Sequence, residues 1–132
     1  MSLKSVDRER AEYAFDRVKA FQKNHGQSDN EYLKSYGKNV PAYVMQNGLV
    51  ATMAFLESKL AKKNEKKGAY DGLYEMTQEW LYQKDLIGDN KAYVSGQLAA
   101  LDSGGYKAAE KEVLALFTWV RRFVESSDGA GD

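Results

Sequence analysis

Apolar side chains recur at helical spacing along nearly the whole chain, and proline, the strongest interrupter of helices, occurs once, at Pro41. No window alternates apolar and polar residues between turn signals, as a half-buried strand would. The pattern predicts an all-α fold, a single compact bundle of about six helices forming one domain over residues 1–132. Residues 126–132 are small and polar and are expected to fray. A domain of this size buries roughly two thirds of the surface its unfolded chain exposes, enough for a core without disulfides or metals.

Helix one is expected over Val6 to Asn24, with Ala11, Ala14, Val18 and Phe21 on one side and Gly26 stopping it. Ser28 and Glu31 have capping-box spacing and predict a short second helix through Tyr36, ended by Gly37. Pro41 suits a first helical turn, so a third helix is expected from Pro41 to about Leu60. That stretch is apolar on more than one face and predicts a central position in the bundle. Gly48 within it suggests close approach by another helix, and Asn47 a hydrogen bond inside the bundle or at its edge. A fourth helix is expected over Tyr70 to Lys84, with Leu73, Trp80 and Leu81 inward. Asp89 offers a cap for a shorter fifth, with Val94, Leu98 and Leu101 as its stripe. The segment Asp102-Ser103-Gly104-Gly105 breaks the chain. A sixth helix, Tyr106 to Glu125, then carries Ala109, Val113, Leu116, Phe117, Val120 and Val124 as one stripe.

The chain has no cysteine, which excludes disulfides, thiolate metal sites and cysteine nucleophiles. Lys+Arg and Asp+Glu number 19 each, for a formal net charge of zero. This argues against a general nucleic-acid coat but leaves room for a local basic patch. The charged stretch Met1 to Arg10 lacks the apolar run of a secretory signal, and Val40 to Leu56, broken by Gln46-Asn47-Gly48, falls short of a membrane span.

Catalytic candidates are few. His25 is the one histidine and lies in a predicted loop, where it lacks the partners of a metal site or general base. Glu9, Glu12 and Asp16 share a side of helix one, but their interleaving with Arg8, Arg10 and Arg17 favours a solvated, ion-paired helix over a carboxylate site. No Glu-x-x-His motif and no phosphate-loop glycine pattern is present. Neither a catalytic residue, a metal site nor a cofactor is therefore expected.

Two features lean toward binding. Lys59, Lys62, Lys63, Lys66 and Lys67 place five lysines in nine positions, a run able to neutralise phosphates. Lysines at a helix end are also favoured by its dipole, and on sequence alone that plainer reading comes first. Arg10 and Arg17 lie on one face with Tyr13 between them, and Arg121 and Arg122 follow Trp119. Arginine beside an aromatic can clamp phosphate or stack on a base. It can equally pack its stem on the bundle and pair with Glu, and chemistry alone leaves both open.

Several segments together resemble one family, the small subunit of the type III-B CRISPR effector, the Cmr complex. They are Arg10-Ala11-Glu12-Tyr13-Ala14 with Val18, Val40-Pro41 leading to Gln46-Asn47-Gly48-Leu49, and Ala54-Phe55-Leu56-Glu57-Ser58-Lys59. Tyr70-Asp71-Gly72-Leu73-Tyr74 with Trp80-Leu81 and the closing Ala115-Leu116-Phe117-Thr118-Trp119-Val120-Arg121-Arg122-Phe123 complete the set, in order over nearly the whole chain.

The resemblance implies a helical bundle without nuclease activity, stacked with copies of itself as a minor filament beside the guide-bearing subunits. It implies contact with the target RNA through basic side chains, in the cytoplasm, with no membrane and no small-molecule substrate. Arg10, Arg17, Lys59, Lys62, Lys63, Arg121 and Arg122 are the candidate RNA-binding residues, chosen by expected exposure. The competing readings are a helical protein–protein adaptor with no nucleic-acid role and, further behind, an enzyme using the carboxylates of helix one.

Overall fold

A computed structural model describes residues 5–60 and 67–126; among these it shows six helices and no strand. The first, α1 (Val6–Asn24), begins where the Ser5 hydroxyl accepts the Arg8 amide, and buries Ala14, Val18 and Phe21. Asp7 and Glu9 in its first turn and Lys23 in its last complement the helix dipole.

The next two elements correct the expected division of the chain. α2 (Gln27–Asn47) runs unbroken through Gly37 and Pro41, and α3 (Leu49–Leu60) starts after Gly48. Proline removes the amide that would bond the Gly37 carbonyl, yet the stripe Leu33, Gly37, Val40 and Val44 continues past it into the core. Burial of that stripe outweighs one lost helix bond. The chain turns instead at Gly48, whose φ of 88° is a conformation other residues rarely adopt. Its amide bonds the Val44 carbonyl, and its own carbonyl accepts from the Thr52 hydroxyl.

The same break resolves the apparent all-round apolarity of residues 41–60. On α3 only Leu49, Thr52, Met53 and Leu56 are buried, while Met45 on α2 is 77% exposed. The helix therefore lies at the side of the bundle, not at its centre. Ser28 does not cap α2; Gly26 holds that position with no side-chain hydrogen bond. Asn47 donates to the Tyr43 carbonyl at an exposed position.

α4 (Lys67–Gln83) buries Ala69, Tyr70, Leu73, Tyr74, Met76, Thr77, Trp80 and Leu81. Gly72 lets it approach α1, since a Cβ there would meet the Phe21 ring at 2.6 Å. It closes with the Asp85 amide on the Tyr82 carbonyl and the Leu86 amide on that of Leu81, Asp85 standing at φ 60°. α5 (Val94–Ala99) is not capped by Asp89. Its first turn is held from outside, because Glu57 of α3 accepts from the Ser95 amide and hydroxyl and from Tyr74, whose hydroxyl accepts the Val94 amide. Burial first, and the Glu57 carboxylate as well, push the Tyr74 hydroxyl up to about 12.

α6 (Ser103–Ser126) starts earlier than expected, since Asp102 accepts the Gly105 amide and turns the Ser-Gly-Gly segment into a first helical turn. Its stripe Ala109, Val113, Leu116, Phe117, Val120 and Val124 is buried, and α1, α2, α4 and α5 pack around it. The Tyr106 hydroxyl accepts the Leu49 and Val50 amides, so α6 caps α3 across the bundle. No described helix is long and apolar enough to cross a membrane.

Candidate nucleic-acid interface

Each candidate cation in the described residues sits on a helix, and most rest on an aromatic ring. Arg17 lies over Tyr13 at 5.1 Å, Lys59 over Phe55 at 5.2 Å and Arg122 over Trp119 at 5.3 Å. Lys19 over Phe15 and Lys84 over Trp80 repeat the arrangement at 5.5 and 4.7 Å. In four of these five the cation follows the ring by four residues, which places both on one helix face. Such a shelf restricts a long side chain while leaving its charge in water. Arg121 and Arg122 are exposed, and neither is paired with a carboxylate among the described residues.

Arg10 is differently placed. Its Nε and Nη2 donate to the two oxygens of Glu112 at 2.6 and 3.0 Å, and Nη1 donates to Asp7 at 3.3 Å. Trp80 adds its indole N–H to Glu112 Oε1 at 2.9 Å. The Arg10 guanidinium, foremost, holds the Glu112 carboxyl below the usual range against the opposing effect of burial. The same pair raises the Arg10 pKa. This fork ties α1 to α6 and α4, and it commits the Arg10 charge inside the protein.

The five candidates among the described residues do not form one patch. Arg17 stands on the side of α1 near α4, since Tyr13 packs on Trp80 and donates to the Met76 carbonyl. Burial, foremost, raises the Tyr13 pKa. Arg122 stands beside the α1–α6 seam, over the Trp119 ring whose indole bonds Asp7 of α1, and Arg121 is exposed on the same helix. Lys59 is on α3, which packs on α2, α4 and α5. Lys62 and Lys63 lie outside the described residues.

Two carboxylates of α1 are likewise occupied: Glu9 bonds Lys84 at 2.7 Å, and Asp7 accepts from Arg10 and from the Trp119 indole at 3.1 Å. His25 stacks on Phe21, with ring centroids 3.7 Å apart, and its Nδ1 meets the Phe21 carbonyl at 2.9 Å. Sequence reasoning missed Glu112, whose partners lie 102 and 32 residues away along the chain. It also missed Lys19 and Phe15, which the aromatic-to-cation spacing of four would have flagged.

A family model described as CRISPR-associated protein (Cas_Cmr5) matches residues 6–127, which takes in every described helix. The chain belongs to that family, the small subunit of type III-B CRISPR effector complexes.

Proposed function

We propose that this member of the Cas_Cmr5 family is a non-catalytic subunit that stacks as a minor filament in the effector and contacts target RNA beside the guide RNA. The family match carries the reading. Three features of the molecule support it. Cations resting on rings lose less freedom when they meet a phosphate than cations on unsupported stems. Met45 and Tyr93, 77% and 68% exposed, offer apolar surface for other subunits or for copies of itself. Zero net charge fits a chain whose faces are divided between protein and RNA. The work is done in the cytoplasm, with no cofactor and no small-molecule substrate.

Because Arg10 is committed to Glu112 and Asp7, the phosphate contacts fall to Arg17, Lys59, Lys62, Lys63, Arg121 and Arg122. The test is the triple charge reversal K59E/K62E/K63E, incorporated into the effector particle. Capture of target RNA should weaken, and the slope of log affinity against log salt should flatten by about 2, at roughly 0.7 per lost contact. Unchanged capture by a fully incorporated triple variant would remove the lysines from the interface. Recovery of the chain with protein partners but never with guide-containing particles would favour the adaptor reading instead.

A further inference from the structure

Phe15, Phe123 and Trp119 form a continuous strip of rings along the seam between α1 and α6. Phe15 meets Phe123 edge to face at 5.4 Å, and Trp119 stacks on Phe123 at 6.0 Å with 22° between the planes. Lys19 lies over the ring at one end and Arg122 over the ring at the other. Trp119 and Phe123 rest one side on the core and are only partly buried, while Phe15 lies off the buried stripe of its helix. The buried stripe of α1 is Ala14, Val18 and Phe21, that of α6 runs from Ala109 to Val124, and Phe15 is 46% exposed. The Trp119 indole N–H is already donated to Asp7, so this residue offers a flat face and no donor.

We infer that the strip is a stacking platform for unpaired bases of single-stranded RNA, with Lys19 and Arg122 meeting the phosphates at its two ends. The inference rests on the RNA reading above and gives it a particular surface. Stacking needs only the π-face that every base has, so the platform is tolerant of sequence. A cation over an exposed ring is held more weakly than a base stacked there. An arriving base therefore displaces the cation, and the released charge turns to the adjoining phosphate. Charge complementarity favours RNA over an apolar protein segment, because the rings are bracketed by cations at both ends.

The full-length chain is titrated at low salt with labelled oligoadenylate and with an abasic ribose-phosphate strand of equal length. Anisotropy reports affinity, and tryptophan emission reports place. Trp80 is 3% exposed and bonded to Glu112, so quenching by added strand reads Trp119. Oligoadenylate should quench emission and bind about fivefold or more tightly than the abasic strand. F15A should remove most of that preference with helix content unchanged, lowering affinity for oligoadenylate by more than affinity for the abasic strand, which feels only the lost support of Lys19. W119F, which keeps a ring, should retain the preference but lose the optical signal.

Equal affinity for the two strands overturns the platform and leaves the phosphate contacts standing. Binding of neither strand overturns the platform and counts against the RNA reading as well. An F15A chain that keeps its base preference yet no longer enters the particle assigns the strip to a protein partner.

Discussion

Glu112 shows how one side chain joins parts of the chain that no local pattern connects. Its carboxylate takes a two-pronged contact from Arg10 and a third hydrogen bond from Trp80, so three helices meet on one charge. The Arg10 contact, chiefly, holds its folded-state pKa below the ordinary 4.5. The stabilisation is therefore complete above that value and is lost as pH falls through the lower folded value. E112Q should cost about 2 kcal/mol at neutral pH, in the range of hydrogen bonds to charged groups. The gap between E112Q and the unaltered chain should close on acidification, as thermal melts at pH 7 and pH 3 would reveal; a gap independent of pH would contradict the assignment. Within α1 Arg10 meets Asp7 at i,i+3, a carboxylate outside the Glu9, Glu12 and Asp16 set that the sequence singles out, and Glu9 pairs instead with Lys84, just past α4. What the sequence could not convey is that, of the three hydrogen bonds Arg10 donates to Asp7 and Glu112, two go to the residue in α6.

At the scale of elements, the sequence specified α1 and the inward stripe of α6 closely, because each has a clean period and a clear end. It misplaced the corner between α2 and α3. Gly37 and Pro41 carry breaking propensity, but propensity is a weak prior beside a buried stripe that runs through both. The two glycines in question predict opposite outcomes. A Cβ at Gly37 would meet Leu73 and Val120 at 3.7 and 3.8 Å, ordinary contact distances, so G37A should raise stability by about 0.5–1 kcal/mol. At Gly48 the backbone has φ 88° and the Tyr106 hydroxyl lies 3.3 Å from a would-be Cβ, so G48A should lower it by more than about 1 kcal/mol. Denaturant midpoints of the two variants decide the matter, and a helix break at Gly37 would reverse their signs.

Over the whole molecule, α6 is the shared wall of the core, and Phe117 on it is fully buried. F117A should cost about 3–5 kcal/mol, a large share of what holds a domain of this size folded. Its denaturation should remain a single transition when followed by far-ultraviolet dichroism and tryptophan emission; separate transitions would show that α1 or α3 can stand without α6. The all-α class was legible because helical period is repeated everywhere. The candidate site was legible only in part, because a list of cations does not say which are spent internally, as Arg10 is, and which rest on rings facing water.

The Tyr106 hydroxyl that receives the Leu49 and Val50 amides has a consequence in time. During synthesis α2 and α3 leave the ribosome well before α6, so the corner at Gly48 emerges without its clamp. The Leu49 and Val50 amides meet this acceptor only when Tyr106 arrives, from more than fifty residues downstream. The contact that completes the α2–α3 corner thus becomes available only once translation has passed Tyr106.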